Sequence, residues 1–262
     1  MRAPFARIVI GGGMPDICVV IPCYNEEKRL NVPAVSAFLS EQPKLMLVFV
    51  DDGSRDGTGV MLEELVKRFP WQIRVVTLER NGGKAEAVRA GMAAAVESEA
   101  PLVGYWDADF STPLRLIPVM AELFEGKPRL EIVCGCRLQR LGADIRRSVF
   151  RHLVGRCFAT LASLFLRLPV YDTQCGAKLL RVRTAKILFR EPLVTRWIFD
   201  VELFSRFIQY FGRRAALRRI YEYPLPEWRD VSGSTLTVWC APRILLEFWR
   251  IAADTRRRLR DK

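Results

Sequence analysis

The sequence lacks the features that define several large classes of protein. It has a single histidine, His152, and its seven cysteines are scattered, so we expect neither a zinc site nor a disulfide framework. This use of cysteine fits a reducing cytosol. No run of eighteen apolar residues occurs, so no membrane-spanning helix is predicted. No G-x-G-x-x-G pattern follows the first predicted strand and no Walker A motif occurs, which disfavours dinucleotide binding and ATP hydrolysis.

The composition that is present is globular, but its charge is uneven. Half of the 262 residues are apolar and 27% are charged, enough for one large α/β domain or two small ones. The net charge is +12. Residues 1–130 hold 15 basic and 17 acidic residues, whereas residues 131–262 hold 26 and 12. The excess positive charge therefore lies in the second half, where it favours an anionic partner: nucleic acid, an anionic membrane or a phosphorylated substrate.

Apolar runs alternate with amphipathic segments along the first half. This alternation predicts an α/β fold with a mostly parallel sheet flanked by helices. After residue 140 the pattern predicts Arg-rich amphipathic helices, and residues 1–16 are predicted to be a flexible leader. The predicted strands are 17–21, 45–50, 73–78, 102–105 and 131–134, and the predicted helices are 33–41, 58–68 with Thr58 as its cap, 83–96 and one that begins at Pro113.

Polar residues follow the predicted strands where each strand ends. Parallel sheets bind their ligands at this edge. Asp107 and Asp109 leave the fourth strand two residues apart, so their carboxylates point to the same side. Such a pair suits a hard divalent cation that is shared with substrate phosphates. The alternative is a loop whose two carboxylates are simply solvated.

Asp51 and Asp52 end the second strand and are followed by Gly53 and Ser54. One interpretation is an Asx turn in which glycine supplies a positive φ. The other is a carboxylate that accepts a hydrogen bond from the ring N–H of a nucleotide base. The sequence leaves both open.

Taken together, these motifs resemble the GT-A glycosyltransferases of family 2 in order and spacing. Two later motifs look like the branch that contains dolichyl-phosphate β-glucosyltransferase, and the resemblance covers about residues 17–235. The shared motifs are Val20-Ile21-Pro22-Cys23-Tyr24-Asn25-Glu26-Glu27, Val50-Asp51-Asp52-Gly53-Ser54-Arg55-Asp56-Gly57-Thr58, Asn81-Gly82-Gly83-Lys84 and Asp107-Ala108-Asp109, and the later two are Asp172-Thr173-Gln174-Cys175-Gly176-Ala177-Lys178 and Arg196-Trp197-Ile198-Phe199-Asp200-Val201-Glu202.

The resemblance implies a Rossmann-like GT-A fold and a role for each matching residue. It implies that a divalent cation, Mg²⁺ or Mn²⁺, is held by Asp109 with Asp107. It places Arg137 at the acceptor phosphate and Asp172 in the active site, where Asp172 acts as a base or as an orienting group. The nucleotide sugar is expected to contact Pro22, Tyr24, Glu26, Asp51, Asp52, Lys84 and Asp107. The alternative for Asp52 is that it holds the turn after the second strand.

The basic second half has two interpretations. Residues 236–262 are predicted to form a basic amphipathic helix that follows a GT-A domain over residues 17–235. In one interpretation this helix and the arginines at 146, 147, 151 and 156 face solvent. In the other, the two regions form an interfacial helix pair on anionic lipid, with Trp239, Phe248 and Trp249 at headgroup level. Nucleic-acid binding is disfavoured because no reading module is visible.

These motifs and charges are compatible with three functions. The first is an inverting, metal-dependent transfer of a hexose, glucose from UDP-glucose being favoured, to a polyprenyl or dolichyl phosphate at the cytoplasmic face of a membrane. The second keeps the enzyme class but changes the acceptor to a soluble sugar or a protein hydroxyl. The third is a non-catalytic basic protein that binds membrane or RNA, which the two carboxylates of Asp107 and Asp109 disfavour.

Overall fold

The structure is a computed structural model that describes residues 14–146, 149–229 and 241–260. These residues form a layered α/β fold. The strands are β1 (Ile17–Cys23), β2 (Leu45–Asp51), β3 (Ile73–Thr77), β4 (Leu102–Trp106), β5 (Ile132–Cys136), β6 (Asp144–Arg146), β7 (Ala177–Arg181), β8 (Ile220–Pro224) and β9 (Glu227–Arg229). The helices are α1 (Val32–Glu41), α2 (Thr58–Arg68), α3 (Lys84–Glu97), α4 (Leu116–Gly126), α5 (Val149–Leu166), α6 (Val182–Leu188), α7 (Phe199–Phe211), α8 (Arg213–Arg219) and α9 (Ala241–Arg260).

Seven strands form one mostly parallel sheet, as predicted. Their order is β3-β2-β1-β4-β7-β5-β8, and β6 pairs with β9 in a small second sheet. Strands β3, β2, β1 and β4 are parallel, so their carboxyl ends lie at one edge. That edge carries the polar residues that the sequence places after the predicted strands.

Strand β7 runs antiparallel between β4 and β5. Its first residue, Ala177, pairs with Trp106, the last residue of β4. Residues 172–176, which precede β7 and which we name the acceptor loop, therefore arrive directly beside residues 107–109. An antiparallel strand in the middle of a parallel sheet thus brings a late segment of the chain to the carboxyl ends of the early strands.

Helices cover both faces of the sheet. Val20 and Val50 face one apolar core, which α3, α6, α7 and α9 complete. Val19 and Phe49 face the other core, which α1, α2 and α4 complete. Burial on both faces explains why β1 and β2 are continuous apolar runs without alternation.

The second half differs from the prediction of helices alone. It contributes strands β6 to β9, of which β7 and β8 complete the large sheet. Arg146 lies in β6 and pairs with Asp144, so it is not part of a basic helix. The sequence does not mark these strands, because β6 and β9 have only three residues each and charged residues interrupt the short apolar runs of β7 and β8.

Thr58 was also assigned wrongly as a helix cap. Gly57 occupies the N-cap position of α2 without a side-chain hydrogen bond. The Thr58 hydroxyl instead donates to Asp56 and accepts from the backbone N–H of Glu26. It therefore ties the segment after β1 to the segment after β2.

Helix α9 packs against the domain through one face. Phe248 and Ile251 are buried, and the Phe248 ring lies 5.9 Å from that of Phe158 and 5.1 Å from that of Phe165 on α5. The interpretation that places Phe248 at lipid headgroup level is therefore wrong, because this ring is buried against α5. Trp239, residues 1–13 of the predicted leader and Arg147 lie outside the described residues. The division at residues 235 and 236 stays a prediction.

None of the helices in the described part of the chain is both long enough and apolar enough to cross a bilayer.

Candidate active site

A cleft of about 400 Å³ opens at the carboxyl ends of β1, β2, β3 and β4. Four loops supply its walls, one after each strand. Seven of the residues that the sequence assigns to nucleotide sugar or metal line this cleft. The lining residues are Pro22, Cys23, Tyr24, Glu26, Arg29, Asp52, Asn81, Gly83, Lys84, Ala87, Asp107, Ala108 and Asp109.

Lys84, at the start of α3, forms an ion pair with Asp107 in the cleft. The Lys84 Nζ lies 2.5 Å from Asp107 Oδ1, and both side chains are partly exposed. Desolvation would raise the pKa of the Asp107 carboxyl, but Lys84, Arg137 and Lys178 together outweigh it and the pKa is lowered. Asp107 is therefore a carboxylate at neutral pH. Asp109 Oδ1 accepts a hydrogen bond of 2.9 Å from the backbone N–H of Ser111, which fixes the direction of this second carboxylate.

The neighbouring aspartates Asp51 and Asp52 have separate roles. Asp52 lines the cleft, and its two oxygens accept hydrogen bonds from the backbone N–H groups of Gly82 and Gly83 at 2.7 and 2.9 Å. Asp51 is not among the lining residues; its Oδ1 accepts from the Ser54 N–H at 2.9 Å. That Asp51 contacts the nucleotide stays a prediction, whereas the alternative that Asp52 holds this turn differs from the structure. Asp51 holds the turn, which is the Asx-turn interpretation.

Glu26 lies in the cleft with an incompletely bonded carboxyl group. Its Oε1 is 3.6 Å from the Arg29 guanidinium, and its buried Oε2 has no hydrogen-bond partner among the described residues. Burial raises the pKa of the Glu26 carboxyl, and the negative charge of Asp109 adds to the effect. An incompletely bonded group at this position is suited to a hydroxyl or N–H donor of a ligand.

The acceptor loop contributes Asp172 to the other side of the site. Arg137, directly after β5, forms a two-point ion pair with Asp172, with Nε–Oδ2 and Nη2–Oδ1 distances of 2.7 and 2.8 Å. The Arg137 and Gln174 backbone N–H groups also donate to this carboxylate, both at 3.1 Å. The Arg137 guanidinium packs over the Trp228 ring at 5.3 Å. The predicted catalytic pair is therefore together in space.

This geometry limits what Asp172 can do chemically. Burial would raise the pKa of the Asp172 carboxyl, but Arg137 outweighs it and lowers the pKa to about 2. Four N–H groups already occupy its oxygens. Such a carboxylate is a poor proton acceptor at neutral pH. Its position favours an orienting role toward Arg137.

The acceptor loop contacts the cleft at Gly176, which packs against the Asp107 carboxylate. A Cβ atom on Gly176 would lie 2.0 Å from Asp107 Oδ2, a separation that no folded protein tolerates. A larger residue here would displace the Asp107 carboxylate, so glycine is favoured by close approach and not by backbone angle. The contact sets Asp107 between the nucleotide side and the Asp172–Arg137 pair.

Several contributing residues received no role from the sequence. Arg196 donates to the Gly82 carbonyl at 3.0 Å, and Glu222 accepts from the Tyr171 and Asp172 N–H groups. Buried Lys178 and Asp200 form an ion pair beneath the acceptor loop. A signal for the last pair was present, since a lysine inside a short apolar strand needs a buried counterion.

The carboxylates of the cleft fit a divalent cation that is shared with a ligand. Within residues 14–146, 149–229 and 241–260, no three His, Cys, Asp or Glu side chains are grouped to hold a metal by themselves. Magnesium is commonly held by one or two carboxylates together with substrate phosphates. Asp107 and Asp109 supply that number at one strand end.

Comparison with known proteins identifies the family. The model of glycosyl transferase family 2 matches residues 18–188. The chain belongs to glycosyl transferase family 2. It is therefore an enzyme that transfers glycosyl groups. Dolichyl-phosphate beta-glucosyltransferase of Mus musculus is 33% identical over 84% of this chain and 69% of that enzyme. The enzyme of that name from Dictyostelium discoideum is 29% identical over 90% and 76%.

Solved structures share the fold. Glucosyl-3-phosphoglycerate synthase from Mycobacterium tuberculosis in complex with uridine diphosphate aligns over 95% of this chain and 87% of that one, with a TM-score of 0.65 and 19% identity. The same enzyme with Mn²⁺, UDP-glucose and phosphoglyceric acid gives a TM-score of 0.65 at 20% identity, over 91% and 80% of the two chains. This likeness confirms the GT-A-like architecture.

Proposed function

We propose that the protein transfers glucose from UDP-glucose to a polyprenyl or dolichyl phosphate, with inversion at the anomeric carbon and with Mg²⁺ or Mn²⁺. The observation that carries the proposal is the wall shared by the cleft and the acceptor loop, where Gly176 packs on Asp107. A donor in the cleft would present its sugar toward Arg137 and Asp172. The names of the relatives support glucose and a dolichyl phosphate as substrates.

The donor side is suited to a nucleoside diphosphate. Tyr24, Glu26 and Asp52 line the cleft in the loops that follow β1 and β2, and we assign them to the base and ribose. A bound diphosphate would replace Asp107 as the ion-pair partner of the Lys84 ammonium group. When bound at Asp107 and Asp109, a divalent cation would neutralise charge on the departing nucleoside diphosphate.

The acceptor side is suited to a phosphate. An oxygen of the acceptor forms the new bond to the anomeric carbon while the bond from that carbon to the diphosphate breaks. A phosphate monoester has a second pKa near 6 and is largely ionised at neutral pH, so it needs no protein base. Asp172 then holds Arg137 in place instead of removing a proton.

The helix beside the acceptor loop favours a lipid-linked acceptor. Arg156 of α5 stacks over the Tyr171 ring at 3.7 Å and donates to the Tyr171 carbonyl at 3.0 Å. The same helix exposes Leu153, Leu161 and Leu164. An apolar helix surface next to the acceptor loop would give a polyprenyl chain a path to the site.

Helix α9 extends this apolar surface and adds positive charge. Leu245 and Trp249 are exposed by 61% and 66%, and Arg243, Arg250 and Arg256 are also exposed. Each basic residue near an anionic bilayer contributes about 1 kcal/mol, and apolar side chains add a contribution that salt does not screen. We propose that α5 and α9 attach the enzyme peripherally to the cytoplasmic face of a membrane.

A vesicle assay tests this attachment. The protein is expected to pellet with anionic liposomes more than with neutral ones. Leu164→Ser combined with Trp249→Ser is expected to reduce pelleting several-fold. Trp71→Ser is the matched control, because Trp71 is also exposed but lies in the connection between α2 and β3. Equal loss in both variants, or no pelleting of the wild type at low salt, would contradict the membrane-facing role.

A donor and acceptor panel tests the reaction. The purified protein is incubated with Mg²⁺ or Mn²⁺, a short polyprenyl phosphate in anionic vesicles, and UDP-glucose, UDP-galactose, GDP-mannose or dTDP-glucose. We expect a lipid-linked hexose from UDP-glucose and little from the other donors. Transfer only to water-soluble acceptors would overturn the lipid-phosphate assignment.

A further inference from the structure

Lys178 is a buried cation with no direct place in the proposed reaction. It lies in β7, between β4 and β5, and its side chain is only 3% exposed. Burial of an ammonium group in a protein interior is costly unless every proton has an acceptor. The reason for this lysine must therefore lie in what its ammonium contacts.

Two of those contacts are backbone carbonyls of the acceptor loop. Lys178 Nζ lies 3.0 Å from the Thr173 carbonyl oxygen and 2.5 Å from that of Cys175. These carbonyls follow Asp172 and precede Gly176. The loop therefore curves around a single ammonium group. This group lies between Asp172, at the start of the loop, and Gly176, which contacts Asp107.

The third contact is the carboxylate of Asp200 in the first turn of α7. Asp200 Oδ1 lies 2.6 Å from Lys178 Nζ and also accepts from the Tyr105 hydroxyl. Desolvation would lower the pKa of the Lys178 ammonium, but Asp200 outweighs it and the pKa is raised. Lys178 is therefore charged at neutral pH, with three acceptors for its three protons.

The position of the loop has consequences on both sides of the site. At one end it places Asp172 on Arg137. At the other end Gly176 packs on the carboxylate of Asp107 with no room for a Cβ. A shift of about 1 Å in such a loop would separate the acceptor groups from the donor groups, and a displacement of that size can cost about a hundredfold in rate.

We propose that Lys178, with Asp200 as its counterion, is a positioning residue that holds the acceptor loop in the shape that places Asp172 and Arg137 beside Asp107. The inference rests on the proposed function in one respect, that Asp172 and Arg137 face the acceptor. It gives a role to two residues that the sequence motifs contain but that the cleft does not use.

A charge-neutral double variant separates positioning from folding. Lys178→Met alone leaves Asp200 buried without a counterion, so we expect a clear loss of thermal stability. Adding Asp200→Asn removes that charge and keeps an acceptor for Tyr105, so stability should largely return. The carbonyls of Thr173 and Cys175 still lack their donor. We therefore expect glucosyl transfer to stay roughly tenfold or more below wild type.

Two readouts report the loop itself. In the double variant a larger share of UDP-glucose should be lost to water instead of transferred, because the acceptor is misplaced relative to the donor. The backbone N–H groups of Arg137 and Gln174, which donate to Asp172, should exchange hydrogen about tenfold faster. The UDP dissociation constant should stay within about threefold of wild type, since the cleft residues are retained.

The control is an ion pair at the opposite end of the sheet. Glu131, just before β5, is buried and pairs with Arg183. Glu131→Gln with Arg183→Met is expected to lower stability without changing the ratio of hydrolysis to transfer.

If the Lys178→Met/Asp200→Asn variant regains stability together with wild-type transfer and wild-type exchange at Arg137 and Gln174, the pair is only structural and the proposal is overturned. If the wild type transfers no glucose to polyprenyl phosphate, the proposed function fails, whereas the exchange rates still decide whether Lys178 holds the loop.

Discussion

The two sides of the site, to which we assign the donor and the acceptor, are built in opposite ways. On the donor side, Glu26 has a buried oxygen without a partner among the described residues, and Asp107 is 35% exposed. On the acceptor side, Asp172 is 11% exposed and four N–H groups already occupy its carboxylate. The donor side is incomplete without ligand, whereas the acceptor side is organised beforehand.

This difference indicates where stability and function are coupled. Substitutions on the donor side remove charges that face a ligand, so they should impair binding with little loss of stability. Substitutions on the acceptor side break buried pairs, so they should impair folding and rate together. Four predictions test this division, from the largest expected effect to the smallest.

Asp109→Asn keeps the shape of the side chain but removes the charge assigned to the cation. We expect transfer to fall by roughly a hundredfold or more, because even groups behind a metal ligand contribute ten- to a hundredfold. The melting temperature without ligand should not change. Initial rates and thermal melts measure both, and full activity in the variant would remove the metal assignment.

Asp172→Asn leaves the Arg137 guanidinium buried without its anion. We expect a loss of about 3 kcal/mol in the free energy of unfolding at pH 7, measured by denaturant titration. The pKa of Asp172 is lowered from an ordinary 3.8 to about 2, so its contribution is complete above pH 4 and is lost as the pH falls toward 2. The stability gap between wild type and variant should close over that range, and a gap that is constant with pH would contradict the ion-pair account.

Asp52→Asn and Asp51→Asn compare a residue of the cleft with its neighbour beneath the turn. Asp52 lines the cleft and orients the Gly82 and Gly83 N–H groups, so we expect its variant to weaken UDP binding about tenfold. Asp51 contacts the Ser54 N–H outside the cleft, so its variant should change the dissociation constant less than threefold. Calorimetry measures both constants, and a larger loss for Asp51 would reverse the assignment.

Glu26→Gln should stabilise the protein while it weakens donor binding. The pKa of Glu26 is raised above its ordinary value of 4.5, first by burial and then by Asp109, so ionised Glu26 destabilises the fold without ligand. The variant should therefore be more stable than wild type at neutral pH. The gain should disappear below about pH 4.5, where the wild-type carboxyl is protonated in both states. A variant less stable than wild type at pH 7 would mean that the carboxylate has a favourable partner.

Much of the donor side was predictable from the sequence, and less of the acceptor side. Buried parallel strands give continuous apolar runs, so the ends of β1, β2 and β4 were recognisable, and with them Tyr24, Asp52 and Asp107. The different contacts of Asp51 and Asp52 could not be predicted. Adjacent carboxylates after a strand look alike until the backbone N–H groups that each one binds are known.

The acceptor side depends on contacts between distant parts of the chain. Lys178 and Asp200 meet only because β7 is inserted antiparallel beside β4. A strand of five residues with a lysine at its second position has no period that marks it as a core strand. The sequence left the packed and the interfacial interpretations of Phe248 both open for a related reason, since one helix face cannot show whether protein or lipid covers it.

The most direct test of the division is the binding of UDP, with and without Mn²⁺, to wild type, Asp109→Asn and Asp172→Asn. We expect Asp172→Asn to bind UDP within about threefold of wild type and to keep the enhancement by Mn²⁺. Asp109→Asn should lose that enhancement. Equal losses in the two variants would contradict the account, because they would mean that the cleft and the acceptor loop do not divide donor from acceptor.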